Sequence, residues 1–242
     1  MGWMHDFLDY MKLDPYFRKD NHNRLTFAMT YQYAENYINV ISHDEVVHLK
    51  CSMLYKMPGE LDDKFENLKT AYAFMFTHPG KKLLFMGQEF AQIREWSEKR
   101  ELDWNLLEDS KHAGMQKFVK QLLHLYKKYP ALHELDNSPE GFEWVSVDDN
   151  SRSIYSFMRK SADGRNSILV VCNFTPVEYP QYRVGVPFKR KYKLLLNSAD
   201  SNFGGNGQKR KEIYTAEKKA CDGYDYSIAY PLPAFGAAVF IF

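Results

Sequence analysis

Apolar residues in the first half of the chain recur mainly at helical spacing. From Leu25 to Glu35, Leu25, Phe27, Met29 and Tyr31 predict a helix. Tyr37 to Ile41 then reads as a short strand. After a Pro58-Gly59 break, Leu61, Phe65, Leu68, Tyr72 and Met75 predict a helix over 61–77 with one buried face. Pro79-Gly80 stops it. The apolar run Lys82-Leu-Leu-Phe-Met86, between Gly80 and Gly87, reads as a strand buried on both faces. A second long amphipathic helix is expected from about Ser110 to Tyr129, ended by Pro130.

This order is the βα alternation of a parallel sheet, an α/β arrangement. Two strands cannot close a barrel, and an open parallel pair leaves backbone groups unpaired, so this half reads as part of something larger. From about Gly141 the period changes. Glu143–Val147, Ser153–Met158, Ile168–Cys172, Tyr192–Leu196, Tyr226–Tyr230 and Ala237–Phe242 are β-prone. Asp148-Asp149-Asn150, Ala162-Asp163-Gly164 and Gly204-Gly205-Asn206-Gly207 supply turns, and Ser201 to Gln208 reads as a mobile loop. Short strands at this density predict an all-β antiparallel sandwich.

Composition narrows the partners. Lys+Arg 32 against Asp+Glu 31 leaves a formal charge of +1, so nothing electrostatic favours nucleic acid. Aromatics reach 16%, which suits sugar stacking and core packing alike. Cys51, Cys172 and Cys221 have neither disulfide nor metal spacing and read as reduced thiols of a cytoplasmic protein. Asp6 and Asp9 argue against a signal peptide, and the apolar run 234–242 is far below the ~20 residues of a membrane helix.

The most unusual segment is Ile41-Ser-His-Asp-Glu-Val-Val-His48, directly after a predicted strand. A zinc helix of the His-Glu-x-x-His type needs histidines four apart. His43 and His48 are five apart and would diverge by about 140° on a helix, so no metal is expected. A polar cap starting the next helix, from Ser42 or Asp44, is the alternative.

Ser42-His-Asp-Glu-Val-Val-His48 resembles the seventh-strand motif of branching enzymes in the α-amylase superfamily. Gly2-Trp-Met-His-Asp6, Leu8-Asp-Tyr-Met11, Met57-Pro-Gly59, Pro79–Gln92, Arg94-Glu-Trp96, Leu102-Asp-Trp104, His133-Glu-Leu135, Gly141-Phe-Glu-Trp144 and Asn173-Phe-Thr-Pro176 follow in family order. The resemblance implies the C-terminal portion of a TIM (β/α)8 barrel, after strand six through helix eight, over residues 1–136. An antiparallel β-sandwich over 137–242 follows.

It also implies an enzyme that transfers an α-1,4-glucan segment to a 6-hydroxyl, with retention and no cofactor. Asp44 matches the third active-site carboxylate, which holds hydroxyls of the sugar under attack, and His43 matches a neighbour binding the same ring. Trp3, His48, Trp96, Trp104 and Trp144 are the candidate α-glucan contacts; the alternatives are a core or interdomain role for Trp144, buried loop anchors for Trp96 and Trp104, and a helix start for His48. Trp3, His5 and Asp6 would fall in the loop after the sixth strand. The nucleophile and the acid/base match nothing in this chain, and Glu89, Glu95 and Asp103 fit neither motif. The chain is therefore expected to be inactive without an N-terminal barrel portion, and to expose apolar area which that portion would cover. An amylase or debranching hydrolase, and a non-catalytic glucan-binding protein, are the rival readings.

Overall fold

A computed structural model describes residues 2–206 and 210–242. Gly207 and Gln208, which the sequence assigns to a turn and a mobile loop, lie outside the described residues.

Met4, Phe7, Leu8 and Met11 share one buried face of α1 (Gly2–Lys12). Trp3, His5 and Asp6 thus stand on a helix, not in a loop. Asp14 caps α2 (Pro15–Arg18), its carboxylate accepting from the Tyr16 amide at 2.9 Å with Pro15 in the first turn. The single helix expected over 25–35 is replaced by α3 (Asn23–Thr26) and a 3-10 turn over Phe27–Thr30. The hydroxyls of Thr26 and Thr30 donate to the carbonyls of Asn23 and Phe27, and such local bonds compete with the helical ladder.

Strand β1 (Ile38–Ile41) pairs in parallel with β2 (Lys81–Leu84), with Val40 opposite Leu83 and Ile41 opposite Leu84. The crossover carries α4 (Met53–Lys56) and α5 (Leu61–Thr77), making one βαβ unit. The expectation that β2 is buried on both faces fails. Leu83 is 44% exposed and Met86, just beyond the strand, 52%. Among the described residues β1 is its sole partner, and one neighbour cannot cover a strand. The expectation of one buried face on α5 fails in the opposite sense, since every residue from Asn67 to Thr77 is buried. This helix contacts α6 (Ser110–Lys128) as well as strands of the sheet described next. Asp109 caps α6 by accepting from the amides of Lys111 and His112, and Pro130 follows its end.

The remaining strands are β3 (Phe142–Ser146), β4 (Ile154–Arg159), β5 (Ile168–Asn173), β6 (Tyr179–Val186), β7 (Lys191–Asn197), β8 (Ile213–Thr215), β9 (Tyr226–Leu232) and β10 (Ala237–Ile241). All their pairings are antiparallel, in one sheet of order β3-β4-β5-β10-β7-β8 and a second of β6-β9. The sequence pattern missed β6, interrupted by Pro180 and Gly185, and the three-residue β8.

Period-two alternation divides the larger sheet between two cores. Tyr155, Phe157, Val170, Cys172 and Val239 join the helical core, whereas Ile154, Met158, Leu169, Val171 and Phe240 face β6 and β9. The layers are therefore helices, six strands, two strands. Buried guanidiniums bind the first two layers together. Arg18 donates to the carbonyls of Met11 and Phe174, both at 2.8 Å. Arg159 donates to the Thr77 carbonyl and the Asp136 carboxylate, both at 2.7 Å.

Candidate active-site segment

The chain leaves β1 through Ser42 in extended backbone and enters a 3-10 turn over His43–Glu45. No side chain caps that turn. Asp44 Oδ1 lies 3.2 Å from His43 Nε2, and Oδ2 accepts from the Ser42 hydroxyl at 3.2 Å. Both side chains are about half exposed, at 52% for His43 and 54% for Asp44. Asp44 thus keeps acceptor capacity for an incoming hydroxyl, since an ionised carboxylate offers about four lone-pair sites.

Glu45, the adjacent acid, does something different. Its buried carboxylate meets Lys50 Nζ at 3.3 Å and Lys56 Nζ at 3.8 Å. Burial lowers the Lys56 pKa, and its ammonium also donates to the Lys50 carbonyl at 2.5 Å. This pair anchors the floor of the loop, and hydrophobic Val46 and Val47 beside it are buried. Neighbouring carboxylates therefore face opposite environments.

Parallel pairing brings the end of β2 beside the end of β1. The His43 ring stands 5.7 Å from Phe85 and 6.3 Å from Trp96, and Phe85 meets Trp96 nearly edge-on at 5.2 Å. The Trp96 amide donates to the Val46 carbonyl at 2.9 Å. A small recess lined by Val46, Met86, Gln92, Arg94 and Trp96 opens here. A larger cavity of about 520 Å³ lies elsewhere, between Tyr16, Pro58, Asp63, Thr175 and Val177, apart from this chemistry.

The other sequence candidates are scattered. Trp3 stacks on Phe7 at 4.9 Å, in the turn of α1 whose Met4 sulfur lies 3.9 Å from the Ser42 hydroxyl. His48 is exposed on left-handed backbone, φ 56°, so it shares no helix with His43. Trp104 is half exposed over Phe90, with ring centroids 5.2 Å apart. Trp144 is on β3, against Phe142 at 4.9 Å and Phe157 at 5.7 Å, in the sandwich. Asp44, His43 and Trp96 are brought together; Trp104 and Trp144 make their ring contacts elsewhere. Among the described residues, no group of three or more His, Cys, Asp or Glu side chains gathers to hold a metal ion.

Sequence reasoning missed two supports of this segment. Arg94 grips Asp103 through two hydrogen bonds, one of them 2.8 Å long, and holds that carboxyl below its usual range. Glu95 accepts from the backbone amides of Leu49 at 3.1 Å and Cys51 at 2.7 Å. His48, Leu49 and Cys51 all have positive φ, which costs a non-glycine residue about 1–2 kcal/mol each. Left-handed backbone at non-glycine positions leaves no sequence signature, so only the Arg94-Glu-Trp96 match pointed here.

Residues 144–242 match the family described as the α-amylase C-terminal all-β domain. Across 242 residues, all of this chain and 38% of the relative, the chain is 56% identical to a 1,4-α-glucan branching enzyme GlgB of Butyrivibrio fibrisolvens. A GlgB branching enzyme of Geobacillus stearothermophilus is 46% identical over 99% of this chain and 37% of its own length. One from Bacillus cereus (strain Q1) is 45% identical over the same shares. Along essentially its whole length the chain is similar to these branching enzymes. It spans a little over a third of the length of these relatives. The antiparallel sheets of the second half fit the matched all-β domain. The segment after β1 is the natural focus, because it is where a half-exposed carboxylate and aromatic rings converge.

Proposed function

We propose that the chain forms the C-terminal part of an α-glucan branching enzyme, which moves an α-1,4-glucan segment onto a 6-hydroxyl in glycogen biosynthesis. The observation that carries this reading is identity of 45–56% with GlgB branching enzymes over essentially all 242 residues. In that enzyme, β1 and β2 serve as the seventh and eighth strands of a TIM barrel. A parallel pair with open edges, carrying its polar and aromatic residues at the C-terminal ends of both strands, supports this. The N-terminal barrel portion is the partner that covers those edges. Three free thiols suit a cytoplasmic protein.

Retaining glycosidases use a nucleophile and an acid/base about 5–5.5 Å apart. Neither is assigned here; both come from the rest of the barrel. Asp44 accepts hydrogen bonds from hydroxyls of the ring under attack, bonds that strengthen as charge develops. His43 binds the same ring, with Trp96 flanking it. The 6-hydroxyl of an acceptor glucan, in place of water, resolves the glucosyl-enzyme. Trp3 and His48 border the cleft. Trp104, half exposed, is a further glucan contact, and Trp144 either stacks on sugar or anchors β3.

Linkage analysis on amylose tests this. The whole enzyme should create α-1,6 linkages, and the 242-residue chain alone none. Branching by the chain alone would overturn the division of labour. New reducing ends from the whole enzyme without α-1,6 linkages would favour a hydrolase. Retardation in amylose gels with no change of linkage would favour a glucan-binding protein.

A further inference from the structure

We propose that Glu95 is a positioning residue for Asp44, a latch between the loops that follow β1 and β2. The inference rests on the branching-enzyme reading, but its first evidence is independent of that reading. One carboxylate accepts from two amides, Leu49 at 3.1 Å and Cys51 at 2.7 Å, two residues apart. Both amide-bearing residues lie in left-handed backbone, φ 67° each, and Leu49 directly follows His48 at φ 56°. Amides presented in this way make a concavity that favours an anion, and here the anion comes from the chain itself.

The Lys56 ammonium holds the Lys50 carbonyl at 2.5 Å, and Glu95 holds the amides on either side of that residue. Leu49 is 95% exposed, so its own side chain adds no apolar anchor to the strained backbone. The next residue after Glu95 completes the clasp, because the Trp96 amide donates to Val46, two residues beyond Asp44. Arg100 donates to the Glu95 carbonyl at 2.7 Å, which orients the latch from the far side. The segment carrying Asp44 is thus held by β1 on one flank and by Glu95 and Trp96 on the other. Glu95 touches neither sugar nor reacting atoms; it sets the position of the residue that does.

Two arms test the latch. In the 242-residue chain, Glu95→Ala should speed exchange of the Leu49 and Cys51 amides by about tenfold or more, with no change at Phe74 in α5. Glu95→Gln, whose amide keeps one acceptor oxygen, should be intermediate. In the whole enzyme, Glu95→Ala should lower kcat for branching by about tenfold and leave KM for amylose within about twofold. Adding Leu49→Gly and Cys51→Gly should restore most of that kcat, because glycine takes positive φ without a latch. Unchanged exchange would overturn the proposal. So would a kcat that falls only in step with the folded fraction, or one that the glycine pair does not restore. If the wild-type whole enzyme makes no α-1,6 linkages, the branching reading fails, while the exchange arm still decides the latch.

Discussion

Strands β5 and β2 both carry leucine, Leu169 in one and Leu83 and Leu84 in the other, and these side chains meet different fates. Every residue of β5 is buried, with Val170 and Cys172 against the helices and Leu169 and Val171 against β6 and β9. In β2 exposed and half-buried residues alternate, and Leu83 is 44% exposed. The burial of a leucine in a strand depends on what lies on the strand's two faces and two edges as well as on the leucine itself. β5 has a strand on each edge and a layer on each face, whereas among the described residues β2 has one edge partner. The open pair is also where the exposed carboxylate sits.

The seam between the two regions should give the largest effect. Asp136 and Arg159 are both nearly inaccessible, and their 2.7 Å contact joins the helical half to β4. Asp136→Asn leaves the guanidinium buried without its counter-charge, at a cost of about 3–5 kcal/mol in denaturant unfolding. A loss under 1 kcal/mol would mean that the two halves are not coupled there.

The comparison between the strands is sharpened by one substitution made twice. Leu169→Ala should cost about 2–5 kcal/mol, since its side chain is fully buried. Leu83→Ala in the chain alone should stay within about 0.5 kcal/mol. In the whole enzyme, where further strands are proposed to cover β2, the Leu83 cost should rise.

Acid should weaken the seam with a definite sign. Burial, followed by the nearby Lys82 charge, pushes the His78 pKa from 6.5 down to about 3. Between those values the unfolded chain binds a proton that the folded chain refuses, so stability falls as pH drops from 6.5 toward 3. His78 contributes a slope of up to about 1.4 kcal/mol per pH unit. In His78→Gln that part of the slope should vanish from the unfolding free energy measured against pH.

Much of this was written in the sequence where periodicity is strong. Helix α5 runs over the predicted residues because Pro-Gly pairs bracket an unbroken apolar repeat. Six of the eight sandwich strands follow from β-prone runs between turn residues. β6 was hidden because Pro180 and Gly185 break the pattern while its partner β9 supplies the pairing. The helix over 25–35 failed because threonine hydroxyls compete locally with the ladder. At the candidate site, Asp44 and His43 were visible as an odd polar string after a strand. Their meeting with Phe85 and Trp96 is a tertiary event about fifty residues away in sequence, and Glu95's clasp depends on backbone angles that residue identity does not announce.

Asp44 carries the central claim, and Asp44→Asn in the whole enzyme tests it directly. The replacement keeps the shape beside His43 and removes the charge. Branch formation on amylose, counted as new α-1,6 linkages, should fall in kcat on the order of 10²–10³-fold with the protein still folded. Branching at the wild-type rate would contradict the account.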